Sequence, residues 1–257
     1  MAPRRDGRAP DAPRPVEILQ GFHRLAEGSC LYRAGGTVVL CTASVASEVP
    51  PFLKDSGKGW VTAEYQMHPR ISAERREPRD GRGKAPSGRT QEIQRLVGRA
   101  LRAAVDPALL GPRTITVDCD VLEADGGTRT ASITGGFVAL ALAIQKLYIA
   151  GAFGEGPGPL RDQIAAVSAG YLEGELLLDL DYSEDSRARV DLNLVATARG
   201  GIVEVQGTAE GEAIPRETLD RLVDLGLSGV RELCAAQRAV LAGCGVDLGV
   251  LGLKGAP

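Results

Sequence analysis

The stretch from residue 114 to residue 150 most narrows what this chain can fold into. "TITVDCDVLE" (114–123) alternates Ile115, Val117, Cys119 and Val121 with Thr116, Asp118 and Asp120, the two-residue period of a half-buried strand. "DGGTRTASITGG" (125–136) follows, and then the apolar run 137–150, "FVALALAIQKLYIA", reads as a buried helix. A strand that passes through a glycine pair into a helix leaves backbone N–H groups unpaired at the helix start, where the positive dipole end favours an anion. Thr128 and Thr130 add hydroxyls, and the Arg129 guanidinium matches phosphate oxygens two at a time. By spacing alone a capped helix start with a structural Arg129 ion pair explains the stretch equally well.

The rest of the chain reads around this segment. Residues 24–47 form a hairpin turning at Ala34-Gly35-Gly36, and a helix runs from near Thr90 to before Pro107 with Ile93, Leu96, Val97, Ala100 and Leu101 on one face. A meander of strands spans 165–208, turning at Glu173-Gly174 and at Arg199-Gly200-Gly201, and a last helix starts at Pro215. This order predicts an α+β fold with mixed or antiparallel sheets and helices packed on one face.

At 257 residues and 44% hydrophobic, the chain can bury a substantial core. Five cysteines, odd in number and without a CxxC pair, fit a reducing cytoplasm. "MAPRRDGRAPDAPRP" lacks the apolar core of a signal peptide, and no stretch reaches about 18 uninterrupted apolar residues, so no membrane partner is expected. The basic, Pro-rich residues 1–13 read as a disordered tail. Net charge is −3, yet residues 68–89 carry seven Lys or Arg against three acids, which suits a focused anionic partner or a merely solvated loop.

Two further groups bear on chemistry. Arg89, beside Ser87, Gly88 and Thr90, stands at a second helix start, where it faces an anion or simply flanks a cap. In "LDLDYSEDS", Asp179 and Asp181 lie two apart on an expected strand and so share a face, with Glu184 and Asp185 in the next turn. Oxygen ligands at this density suit Mg²⁺, although acidic turns are also common on surfaces. With two histidines and no G-x-S-x-G elbow, a nucleophile from the protein is not expected, whereas phosphoryl transfer runs on positioning and electrostatics.

The stretches "GWVTAEYQMHPR", "GRTQEIQRLVGRALRAAVD", "TITVDCDVLEADGGTRTASITGG", "LDLDYSEDS" and "EVQGTAEG" together resemble the ribonuclease PH family, from about Arg14 to about Ala242. The resemblance implies a ribosomal-protein-S5-domain-2-like α+β fold: a tail at 1–13, a single domain at 14–242 and a C-terminal extension at 243–257. It implies a phosphorolytic 3′-to-5′ exoribonuclease, or tRNA nucleotidyltransferase, that trims tRNA precursors downstream of CCA. Inorganic phosphate is the nucleophile and nucleoside diphosphates are released. By position Arg89, Gly127, Thr128, Arg129 and Thr130 fall in the phosphate-binding motifs, and Asp179 and Asp185 match carboxylates associated with catalysis and Mg²⁺ or Mn²⁺. Arg70, Arg75, Arg76 and Arg79 correspond to arginines that contact RNA. The implied partners are the tRNA 3′ end and five further copies, in a homohexamer built as a trimer of dimers; DNA is not expected. Two rivals stand beside this reading: a non-catalytic RNA-binding ring subunit, and a nucleotide or sugar-phosphate enzyme with a metal at the acidic cluster.

Overall fold

The computed structural model describes residues 4–71, 76 and 85–253. In chain order the elements are β1 Val16–Gln20, β2 Gly28–Ala34, β3 Thr37–Ala46, β4 Trp60–Met67, α1 Gly88–Ala103, α2 Pro107–Leu110, β5 Thr114–Glu123 and α3 Thr128–Ile149. They continue with β6 Ile164–Leu172, β7 Glu175–Leu178, α4 Tyr182–Asp185, β8 Val190–Thr197, β9 Ile202–Ala209 and α5 Arg216–Gly243.

Among the described residues the strands form two sheets. The first has the order β1-β2-β3-β5-β4, antiparallel throughout except for the parallel β4–β5 edge. The second, β7-β6-β8-β9, is antiparallel. The expected hairpin is β2–β3, and Gly35 supplies its left-handed turn with φ 54°. On β5 the predicted alternation holds, with Ile115, Val117, Cys119 and Val121 buried and Thr116 and Asp118 half-exposed. Strands β1 and β4 add to the expected set, and β4 alternates buried Val61, Ala63 and Tyr65 with more exposed neighbours.

Helix α3 is apolar on nearly every side because it lies between the two sheets, against β2 and β3 on one side and β6 on the other. Gly135 permits this closeness: a Cβ there would stand 2.9 Å from Cys41 Sγ and 3.0 Å from Tyr32 Cβ. Strand β6 is buried on both faces, its Ile164 and Ala166 joining the core around α3 while Ala165 and Val167 join the core under α5. Its sequence is accordingly a continuous run of small and apolar residues, without alternation.

Two expectations are corrected. Strand β7 ends at Leu178, so Asp179 and Asp181 do not share a strand face: Asp179 has a left-handed backbone (φ 53°) and Asp181 is the N-cap of α4. The tail expected to be disordered is folded against the body over residues 4–13. The Leu178 N–H donates to the carbonyl of Pro10 (2.8 Å), and Arg4 is buried. Composition flags the charge of this segment and cannot reveal that the buried carboxylate of Glu184, 180 residues away, takes up Arg4.

Candidate active site

Helix α3 starts at Thr128 from a left-handed Gly127, whose lack of a side chain leaves the first turn without a side-chain cap. The glycine loop before it is held from three sides. Thr37 Oγ1 donates to the carbonyl of Gly126 (2.7 Å) and accepts from Asp125 N–H (2.9 Å), while Arg14 Nη1 donates to the carbonyl of Asp125 (2.6 Å). Gly126 has φ 76°, and a Cβ on it would stand 2.5 Å from the carbonyl oxygen of Leu180, so the loop touches the 179–185 turn backbone to backbone.

Of the three groups at this start, only Arg129 points its polar end outward. Thr128 is buried and shares a 2.9 Å hydrogen bond with Tyr65 Oη from β4. Thr130 is buried too, and its hydroxyl donates back to the carbonyl of Gly127 (2.9 Å), which stiffens the loop instead of projecting from it. Arg129 Nη1 reaches Gln206 Oε1 of β9 (3.1 Å) and Glu92 Oε1 of α1 (3.4 Å).

Arg89 is exposed in the first turn of α1, behind the Ser87 cap that accepts from Thr90 N–H (3.1 Å). Spacing alone cannot show whether Arg89 and Arg129 meet. Their charges do converge: burial pushes the Asp185 carboxyl above its ordinary value, and both arginines pull it the other way. Asp191 of β8 is also raised, first by burial and then by repulsion from Asp185, with Arg129 and Arg89 opposing. Two arginines and two carboxylates therefore share one patch beside the open start of α3. Sequence reasoning missed Asp191, Tyr65, Gln206 and Glu92; Tyr65, Gln206 and Glu92 stand inside the family-like stretches but carry no spacing signal of their own.

The remaining acids of the turn are committed elsewhere. Both carboxylate oxygens of Asp179 accept from Arg14, Oδ2 from Nε (2.9 Å) and from the backbone N–H (2.8 Å), Oδ1 from Nη2 (2.7 Å). Asp181 caps α4, accepting from Glu184 N–H (2.9 Å) and Ser183 Oγ (2.7 Å). Glu184 closes this capping box and is paired with Arg4. Asp179, expected to meet a metal, is instead held by a buried arginine in this structure, with Arg14 donating three hydrogen bonds to its carboxylate. Among the described residues Asp185 has no ion pair or side-chain hydrogen bond, and no cluster of three or more metal-ligating side chains occurs. Of the four arginines expected to meet RNA, Arg70 and Arg76 are exposed, and Arg75 and Arg79 lie outside the described residues.

Comparisons with known proteins identify the family and the fold. Residues 12–144 match the model of the 3′ exoribonuclease family, domain 1, and residues 162–229 match that family's domain 2, one region for each sheet. The chain is 54% identical over 238 residues to ribonuclease PH of Moorella thermoacetica, covering 93% of this chain and 94% of that protein. Its fold resembles rice (Oryza sativa) Rrp46, with a TM-score of 0.74 at 19% identity over 93% of this chain and 100% of the other. It also resembles an Archaeoglobus fulgidus exosome with RNA bound to the active site, with a TM-score of 0.73 at 24% identity over 90% and 91% of the two chains. With two family models matched in order and more than half of the aligned positions identical across nearly the whole length, the chain belongs to the 3′ exoribonuclease family of ribonuclease PH.

Proposed function

We propose that this phosphorolytic 3′-to-5′ exoribonuclease trims the 3′ end of tRNA precursors by seating inorganic phosphate on the open N–H groups of residues 128–130, between Arg89 and Arg129. The observation that supports this reading is the uncapped start of a 22-residue helix with Arg129 in its first turn, where Arg129 and Arg89 both act on the Asp185 carboxyl. A phosphate oxygen attacks the phosphorus of the last phosphodiester, a new P–O bond forms, and the bond to O3′ breaks. The leaving O3′ takes up the proton that the attacking phosphate gives up, and the products are a nucleoside diphosphate and an RNA one nucleotide shorter. Nothing in this sequence of events requires a nucleophile from the protein. The arginines and helix N–H groups hold charge where it develops, which is the larger part of catalysis in such transfers.

A divalent ion fits Asp185 with Asp191. The two carboxylates repel each other and sit half-buried, an arrangement that a cation relieves, and Mg²⁺ is commonly held by one or two carboxylates plus water and substrate phosphates. When bound there, Mg²⁺ or Mn²⁺ would neutralise charge on the scissile phosphate. The RNA backbone runs over the basic 68–89 segment, with Arg70, Arg75, Arg76 and Arg79 on its phosphates. Six copies in a cytoplasmic ring of three dimers multiply this local positive potential, which the acidic single chain lacks.

The test is an incubation of the protein with a tRNA carrying extra 3′ nucleotides and Mg²⁺, with and without inorganic phosphate. Nucleoside diphosphates formed only with phosphate are expected. Monophosphates without phosphate would make the chain a hydrolase, and no release would make it an RNA-binding ring subunit.

A further inference from the structure

Residues 4–14 place three arginines, Arg4, Arg8 and Arg14, on the turn that precedes Asp185. Arg4 grips Glu184 with both arms of its fork, Nε to Oε1 (2.8 Å) and Nη2 to Oε2 (2.7 Å), and both side chains are under a tenth exposed. The backbone carbonyl of Asp179 accepts from Arg4 Nη2 (3.1 Å) and from Nη1 and Nη2 of Arg8 (both 3.2 Å). Arg8 in turn is paired with Asp6. Arg14 takes the Asp179 carboxylate and, through Nη1, the carbonyl of Asp125 in the glycine loop. Three cations thus face the carboxylates of Asp6, Asp179 and Glu184, all from one short segment at the other end of the sequence.

Stability alone does not account for this arrangement. Burying paired charges costs desolvation that well-packed apolar side chains would avoid, so such networks are retained at little or no net gain in stability. What the network does fix is geometry. It holds a non-glycine residue, Asp179, in a left-handed conformation, closes the turn that carries Asp185, and ties that turn through Arg14 to the loop that precedes Thr128. It also neutralises every acid of the turn except Asp185 and the capping Asp181.

We infer that residues 4–14 are a strap that sets the Asp185 turn against the phosphate loop, with Arg4 and Arg14 as positioning residues for the two halves of the active site. The two arginines differ in reach. Arg4 touches only the turn and the arm itself, whereas Arg14 touches both the turn and the loop. The consequence for the reaction rests on the phosphorolytic reading; the consequence for the turn does not.

The experiment compares Arg4→Met and Arg14→Met with the wild-type chain by phosphorolysis kinetics, thermal melting and amide exchange without RNA. For Arg4→Met, kcat is expected to fall at least tenfold while KM for inorganic phosphate stays within twofold. Its amides at 184–186, which bond to Asp181 and Tyr182, should exchange at least tenfold faster, while those of Asp125 and Ala131, which bond to Thr37 Oγ1 and to the carbonyl of Gly127, stay unchanged. For Arg14→Met, both amide groups should loosen and KM for phosphate should rise at least fivefold. Should Arg4→Met not fold, Arg4→Lys serves instead, since it keeps the charge but not the two-armed grip, and the same split is expected with smaller amplitude. A folded Arg4 variant with wild-type kcat and wild-type exchange at 184–186 overturns the strap. So does a loss of activity that matches only a loss of folded protein. If the wild-type chain releases no nucleoside diphosphate, the phosphorolytic reading fails, and the exchange data still decide whether the strap exists.

Discussion

Glu92 of α1 lies 3.4 Å from the guanidinium of Arg129 on α3, so an acid one helical turn beyond Arg89 steadies the arginine of the other helix start. Gln206 holds the same nitrogen from β9 at 3.1 Å. Three elements far apart in sequence therefore fix one side chain beside the start of α3, and a fixed guanidinium is what the proposed phosphate seat needs.

Arg129→Ala should cost about 3 kcal/mol of transition-state stabilisation, a loss of some hundredfold, by comparison with removal of one oxyanion donor. Gln206→Leu should leave the charge but loosen its aim, raising KM for phosphate more than it lowers kcat. Steady-state kinetics at varied phosphate separate the two; wild-type kinetics in Arg129→Ala would remove the phosphate seat from α3.

The raised carboxyls of Asp185 and Asp191 set a pH dependence whose sign is fixed. A folded-state pKa above the ordinary 3.8 means that the folded form holds its proton longer than the unfolded chain, so stability falls as pH rises through the raised values. Asp191→Asn should therefore melt higher than wild type at neutral pH, with the gain vanishing as pH approaches 3.8. Added Mg²⁺ should raise the melting temperature of the wild-type chain and not that of Asp185→Asn, and phosphorolysis should fall with acid as the two carboxyls take up protons. Melting curves across pH, with and without Mg²⁺, and activity over the same range check all three.

Gly126→Ala should destabilise the chain by about 2 kcal/mol through its left-handed backbone alone. The added Cβ would also push the loop away from Leu180, so activity should fall further than stability explains. Activity per folded molecule, measured beside urea unfolding, shows the difference.

Neutralising Arg75 and Arg76 together should flatten the dependence of log affinity for single-stranded RNA on log salt by about 1.4, at about 0.7 for each phosphate that an arginine no longer neutralises. Binding titrations over a salt series test this, and an unchanged slope would take the basic segment off the RNA path.

Much of the fold is legible where side chains answer to one neighbour. The 114–123 alternation, the Gly35 turn and the face of α1 each follow from a single sheet or helix contact. Strand β6 hides its period because it is covered on both sides, whereas β4 does show the two-residue alternation, in small and polar residues, Ala63, Glu64 and Gln66, that make the signal weaker than that of β5. In the site, Arg89, Gly127 and Arg129 stand out because helix starts and glycine pairs carry their own signal. The pairing of Asp179 stays hidden because its partner, Arg14, lies 165 residues earlier, and no local pattern announces such a pair. Asp191 escapes notice for a related reason, since it sits alone on a strand and acquires meaning only from its nearness to Asp185.

Helix α3 belongs to both sheets, and its first turn is the proposed phosphate seat. A nascent chain that has reached residue 150 holds the first sheet and the helix but lacks β6 to cover the helix and the 179–185 turn to brace Gly126. The surface proposed to cut RNA is therefore completed only by residues made after the helix that starts it.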